Sequence, residues 1–290
     1  MMARYTKSIL QPRDIIYINY FQIELFIQEI SHLIKRLLIQ TIRRPSSLLS
    51  GIIQPLLWLI LFGGLFQNAP VSLFTIETKY GQFLSCGIII FTSFTGSLNS
   101  GLPLIFDREF GFLNRLLVSP MTSKDNLLIS SSFFMIGITM FQTLIIMIFS
   151  LGIFNYSIQI NQIYIFFIIT LLITSSISNL SIGLAFILPG HIEFLAFTLL
   201  INLPMLFSST ALAPLSFMPY WLQVLANLNP LTYAIESIRF ISTTSQWYYS
   251  SPVIKTLWFN LSLLQIILFL SVISTISFTS IKTIISNKLE

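Results

Sequence analysis

Charge is what this sequence has least of. Only 9% of its 290 residues are Asp, Glu, Lys or Arg, where soluble domains carry roughly 25%. With 54% hydrophobic residues as well, such a surface would aggregate in water, so most of it must face lipid or other helices. Cysteine is equally scarce. The single Cys86 lies inside an apolar run, which excludes an internal disulfide and a Cys-rich metal site. His32 and His191 are the two histidines and stand far apart, so no metal ligands are expected. No acidic residue occupies the centre of a long apolar run, and proton-coupled pumps and antiporters need such groups for their relays. The chain also lacks G-x-x-x-x-G-K-[ST], H-E-x-x-H and G-x-S-x-G, the motifs that would cradle a nucleotide, hold zinc or carry a nucleophile. It is therefore expected not to be an enzyme by itself and to bind no cofactor of its own.

What is present is a set of six apolar runs, each near the 20 residues a spanning helix needs. They cover about 48–67, 82–104, 127–151, 163–187, 192–213 and 256–280. The expected fold is an all-α membrane protein of six transmembrane helices, with a segment 1–46 before it, a transmembrane domain 47–285 and a short tail 286–290. The fourth and fifth runs are separated by little more than Pro189 and Gly190, which reads as a tight helical hairpin. Ser93/Ser97/Gly101 and Gly96/Ser100 recur at spacing four in the second run. Small residues in that pattern suit close helix packing, a better reading than a substrate path.

Orientation follows from Lys and Arg. Arg4, Lys7, Arg13, Lys35, Arg36, Arg43, Arg44, Arg108, Arg115, Lys124, Lys282 and Lys288 fall on one side of a six-span map. Lys79, Arg239 and Lys255 fall on the other. The positive-inside rule then puts both termini on the cytoplasmic or stromal side. The same flanking placement explains the net charge of +5 without nucleic acid, which is not expected as a partner. Tyr220, Trp221, Trp247, Tyr248, Tyr249 and Trp258 cluster around the long outer loop and the start of the last span, where an interfacial aromatic belt belongs. The N-terminus lacks an apolar signal core, and Asp14, Glu24 and Glu29 come early, unlike a transit peptide. The protein is expected to be made in the compartment whose membrane it enters.

Three segments outside the spans carry pattern. In 21–44, Ile23, Phe26, Ile27, Ile30, Leu33, Ile34, Leu37 and Leu38 recur at helical spacing opposite a polar face, with Arg43 and Arg44 at the end. This predicts an amphipathic helix lying in the inner interface, its basic end able to meet anionic lipid headgroups. The inner loop 105–126 mixes Asp107, Arg108, Glu109, Arg115, Lys124 and Asp125 with Leu113, Leu116 and Leu117. A short helix closed by Pro120 fits this spacing. Both a docking helix and a plain loop remain open at this point. The outer segment 213–240 predicts two short helices, Met218 to Leu228 and Leu231 to Arg239. The second starts after Asn229-Pro230, and Glu236 and Arg239 stand at pairing distance. Both helices could re-enter the outer leaflet between spans five and six, provided protein buries their backbone.

Together the two loops resemble those of the ABC-2 class of ATP-binding-cassette transporter permeases. The inner one is similar to that family's acidic-Arg-acidic, Gly, Leu-rich, Ser-Pro pattern through Asp107-Arg108-Glu109, Gly111, Arg115-Leu116-Leu117 and Ser119-Pro120. The outer one is similar to the signature before the last helix through Met218-Pro219, Trp221-Leu222, Asn229-Pro230-Leu231-Thr232-Tyr233, Glu236 and Arg239. The resemblance extends over about residues 45–285 and is nearest to the daunorubicin-resistance type, including short permeases of algal plastid genomes. The composition, rich in Ile, Phe, Asn and Ser, agrees with an AT-rich plastid genome, and a bacterial inner membrane is the alternative.

The resemblance implies a permease subunit of an ATP-driven exporter, working as a homodimer with a separate ATP-binding subunit that holds ATP and Mg. It assigns Asp107, Arg108, Glu109, Gly111, Arg115, Leu116 and Pro120 to coupling. Pro219, Trp221, Asn229, Pro230, Tyr233, Glu236 and Arg239 become parts of an outer re-entrant gate. The alternatives are a haem-exporter-type permease, a self-powered transporter or channel, and a non-transporting membrane assembly factor. Charge-free spans argue against self-powered transport, and the Asn-Pro-Leu-Thr-Tyr segment favours the exporter.

Overall fold

The computed structural model describes residues 19–66, 80–118, 125–154, 160–244, 248–249, 251–255 and 260–289. Ser119, Pro120, Lys124, Trp247 and Trp258 lie outside these residues, as do the first 18.

Helix α1 (Asn19–Arg43) is the amphipathic segment, and it lies along α6 (Asp125–Phe154). Leu37 is buried there, while Phe26, Ile27, Leu38, Ile39 and Ile42 stay exposed, leaving an apolar strip open along α1. Asn126 at the start of α6 donates to Glu29 Oε2 at 2.6 Å. Arg44 then leaves helical geometry (φ −127°, ψ 68°), in keeping with the clash that disfavours the α region before a proline. Pro45 opens α2 (Pro45–Leu65) at the position where its missing N–H costs nothing. The elbow between the interfacial helix and the first span is thus written in Arg44-Pro45.

The second span forms the centre of the bundle. Helix α3 (Tyr80–Leu98) is buried along most of its length and packs against α2, α6 and α7 (Ile160–Ile187). A 3-10 turn, Asn99–Gly101, joins it to α4 (Leu102–Glu109). Ser100 Oγ donates to Ser178 O at 3.0 Å, Ser181 Oγ to Leu98 O at 2.6 Å, and Gly101 N–H to Ser181 Oγ at 3.0 Å. A Cβ on Gly101 would collide with the Ser181 carbonyl. Ser100 and Gly101 therefore serve close packing on α7, while Gly96 lets α3 approach Thr139 and Gln142 of α6.

Among the described residues, five helical stretches are long and apolar enough to cross a membrane: Leu48–Leu65, Tyr80–Glu109, Asn126–Phe154, Gln162–Ile187 and Leu263–Thr283. Tyr80–Glu109 has 30 residues, about 45 Å at 1.5 Å each, so its charged end projects beyond the hydrocarbon core of about 30 Å. The sixth apolar helix, α8 (His191–Phe207), has 17 residues, near the lower limit for crossing. It stops because Ser208, Ser209 and Thr210 turn the chain, so the expected run to residue 213 is too long. The turn between α7 and α8 is as tight as expected, but beyond it the two scarcely touch. Helix α8 leans on α3 and α4 instead.

After α8 come α9 (Tyr220–Leu228) and α10 (Pro230–Thr243), the two short helices expected. The chain then departs from an all-helical reading. Strand β1 (Pro252–Lys255) pairs antiparallel with β2 (Asn260–Ser262), with Ile254 opposite Leu261. The last helix, α11 (Leu263–Leu289), therefore starts later than residue 256. It packs chiefly on α7.

Candidate functional site

The inner end is built around the projecting end of α4. Gly111 takes φ +70°, a left-handed geometry that suits glycine. Phe110 N–H donates to Phe106 O at 2.9 Å and Gly111 N–H to Arg108 O at 3.1 Å, closing α4 with a left-handed cap. The chain reverses there into α5 (Phe112–Val118), the short helix expected. Leu113 is buried, and Leu116 packs half-buried against the same cluster, which includes Leu104, Ile105, Leu127 and Phe186.

Each charge of the Asp107-Arg108-Glu109 triplet ties α4 to a different part of the chain. Asp107 forms an ion pair with Arg36 on α1, and the Arg36 guanidinium also lies 4.1 Å from the Phe112 ring centroid. Arg108 donates to the carbonyls of Ala185 (2.8 Å), Leu188 and Pro189 (2.8 Å). These oxygens close α7, where a cation satisfies unpaired carbonyls and the negative end of the helix dipole. Glu109 accepts from His191 N–H at 2.6 Å, and its Oε2 meets His191 Nδ1 at 2.6 Å. The backbone donation from His191 holds the Glu109 carboxyl below the usual carboxylate range. A carboxylate at the first residue of α8 also faces the positive end of that helix. The outward surface of the hairpin is different in character. Phe110 is 75% and Val118 87% exposed, and Arg115 is exposed between them.

The outer end centres on Asn229 and Arg239. Asn229 Oδ1 accepts from Leu231 N–H at 2.9 Å and caps α10, with Pro230 in the first turn. Its Nδ2 donates to Met205 O at 3.0 Å and Ser208 Oγ at 3.1 Å, tying the cap to the end of α8. Pro219 performs the equivalent start for α9, its carbonyl accepting from Leu222 and Gln223 N–H at 2.9 and 3.0 Å. Trp221 is exposed. Tyr233 Oη donates to Asn227 O at 2.6 Å, and its ring meets Phe269 of α11 edge-on. Arg239 is 7% exposed and ion-paired with Glu236. It donates to Thr210 O at 2.9 Å and Phe83 O at 3.4 Å, and lies 3.5 Å from the Phe83 ring centroid. One guanidinium thus joins α10, α3 and the turns after α8. A close approach supports that junction: a Cβ on Gly87 would collide with the Ala211 backbone.

The sequence matches the ABC-2 type transporter family over residues 28–242. The chain belongs to the ABC-2 type transporter family. Three similar proteins from algae carry the provisional name transport permease ycf38. That of Porphyra purpurea is 58% identical over 250 residues, 85% of this chain and 86% of its own. That of Pyropia yezoensis is 54% identical over 264 residues, 91% of each chain. That of Cyanophora paradoxa is 48% identical over 262 residues, 90% of each. Family and apolar helices together make this an integral membrane protein of the permease type, with plastid-encoded relatives.

Of the residues expected at the inner end, Asp107, Arg108 and Glu109 tie α4 to its neighbours, Gly111 turns the chain and Leu116 packs beneath it, while Arg115 is exposed on the outward surface; Ser119 and Pro120 lie outside the described residues. The expected outer residues divide: Asn229, Pro230, Tyr233, Glu236 and Arg239 form one packed unit, while Trp221 stands apart at the surface. Sequence reading missed Arg36, His191, Phe83 and Thr210. Nothing in local spacing marks them, because their partners are 71, 82, 156 and 29 residues away.

Proposed function

We propose that this chain is the membrane subunit of an ATP-driven exporter in a plastid membrane. It works as a homodimer and is powered by a separate ATP-binding subunit docked on the α4–α5 hairpin. The observation that carries this reading is the two-sidedness of that hairpin. Its outward side offers exposed Phe110, Arg115 and Val118, an apolar pair with a charge between, suited to a groove in a partner. Its inward side is tied by three charges to α1, to the end of α7 and to the start of α8. A push on the outer face would therefore reach three elements at once. Asp107, Arg108 and Glu109 act as transmission ties, and the docking contacts are their neighbours.

The membrane path has six crossings, with α8 as the short fifth and α9–α10 re-entrant above it. Gly87, where the turn after α8 meets α3, is seven residues from Tyr80 at that helix's outer end. At 1.5 Å per residue α8 ends about 10 Å short of that level. Helix α10 fills the space, packed on α3 and α7, so its backbone is buried in protein as that depth requires. Both termini then lie on the basic, stromal side. The chain hydrolyses nothing itself.

The test is gentle solubilisation of the tagged chain from its native membrane. An ATP-binding subunit should co-purify with it. Phe110→Asp combined with Val118→Asp should release that subunit. Asp107→Asn should leave it bound while uncoupling its ATPase activity from transport. Persistent absence of any ATPase from intact, membrane-inserted protein would sink the exporter reading.

A further inference from the structure

A cavity of about 420 Å³ lies behind the Arg44-Pro45 elbow, between α1, α2, α4 and α6. This is within the size range of small-molecule sites. Among the described residues its one charged lining residue is Arg44, at the inner mouth. Its walls are largely apolar, formed in part by Phe134, Met135 and Ile138 of α6, with Gln40, Thr41, Ser46, Ser50 and Asn99 among the remaining lining residues. Deeper in sits Gln142, 4% exposed. Its Nε2 makes one long hydrogen bond, 3.5 Å to Leu48 O, and among the described residues no donor meets its carbonyl oxygen. That oxygen is not fully enclosed, and Gln142 lines the cavity, so a donor held in the cavity can complete it. The packing is shaped around this side chain, since a Cβ on either Gly51 or Gly96 would strike the Gln142 amide.

These features have an order along α2. Gln142 touches that helix at Leu48 and Gly51, four and seven residues past Arg44, so about 6–10 Å deeper at the helical rise. We propose that the cavity binds an acidic amphiphile. Its anionic head sits at Arg44, a hydroxyl or amide donor reaches the Gln142 carbonyl, and its apolar body lies along α6. A phosphate head with a hydroxyl one glycerol unit further on has this spacing. The site is complete within one copy of the chain and needs no ATP-binding subunit, so it stands or falls independently of the exporter reading.

The test uses full-length protein in nanodiscs of zwitterionic lipid. The probe is lysophosphatidic acid carrying a photoactivatable diazirine in its acyl chain. Labelling should be saturable and map to peptides of α6 and α2. Unlabelled lysophosphatidic acid should compete at least about tenfold better than monoacylglycerol, which has the same body without the phosphate, as expected for a charge-assisted contact. Arg44→Gln should erase that preference and Arg43→Gln should keep it. Gln142→Leu should weaken both competitors. A phospholipid retained through purification at one per chain identifies a resident lipid, whereas full exchange with the probe identifies a cargo. Labelling spread evenly over the lipid-facing helices would overturn the proposal. So would equal competition by monoacylglycerol in the unmodified protein, a readout that does not depend on any variant folding.

Discussion

At the outer end one buried side chain, Arg239, holds α10, α3 and the turns after α8. At the inner end comparable work is divided among Arg36–Asp107, Arg108 and Glu109–His191, each partly exposed. Burial makes the difference. A desolvated ion pair loses much when one partner goes, because the other is left uncompensated in a low dielectric. Exposed pairs are screened and individually worth about 0–1 kcal/mol. The outer junction therefore behaves as a single rigid joint, and the inner one as several light ties that can open one by one. On the proposed function, the end that moves would be the one held by light ties and the end that keeps its shape the one held by the buried joint.

The largest effect expected is at Arg239. Arg239→Ala should cost about 3–5 kcal/mol by stranding Glu236 and freeing two carbonyls, seen as a large drop in thermal stability of the solubilised protein. Arg239→Met together with Glu236→Leu should recover most of it, since apolar replacement of a whole buried pair is often neutral. If the single variant lost no more than an exposed pair does, the contrast between the two ends would collapse.

Asn229 comes next, and it sharpens the contrast by separating local from distant ties. Asn229→Ala removes the α10 cap, at about 0.5–2 kcal/mol, as well as both bonds to the end of α8. Asn229→Ser keeps a capping oxygen and loses the amide donor. Melting temperatures should fall in the order Asn229, Ser, Ala. Equal values for Ser and Ala would mean that the cap is worth nothing and the α8 tie everything.

Asn229 also shows how far the sequence could be read. Its role as helix start is local, written in Asn229-Pro230, and so is the spacing of Glu236 and Arg239. What Arg239 reaches, Phe83 and Thr210, depends on how α3 and α8 pack, which no local spacing encodes. The inner triplet was recognisable as a charged motif. Its use was not, because Arg36 and His191 sit 71 and 82 residues from their partners. Periodicity likewise located five spanning-length helices and the shorter α8 among the described residues, but misjudged two ends. Composition stays apolar through Ala211 and Leu212 although Ser208–Thr210 already turn the chain. The residues before α11 pair as strands too short, at four and three residues, to stand out from an apolar run.

The smallest effect is expected at Glu109, and it probes the light end directly. Glu109 faces His191, with Arg108 beside it and Glu193 across Gly190. Its carboxyl is held below its ordinary value of 4.5, chiefly by the His191 N–H. A lowered carboxylate value means that the tie contributes fully above about pH 4.5 and is lost only as pH falls through the folded value beneath it. Hydrogen exchange at the His191 amide, corrected for its intrinsic rate, should keep its protection from pH 7 down to that range and lose it below. Glu109→Gln, which leaves a neutral acceptor in place, should show weaker protection with no such step. A step that persists in Glu109→Gln would assign the titration to another group and remove Glu109 from the hold on α8. If the step vanishes while the Arg239 junction stays unmoved over the same range, the inner end opens without the outer one.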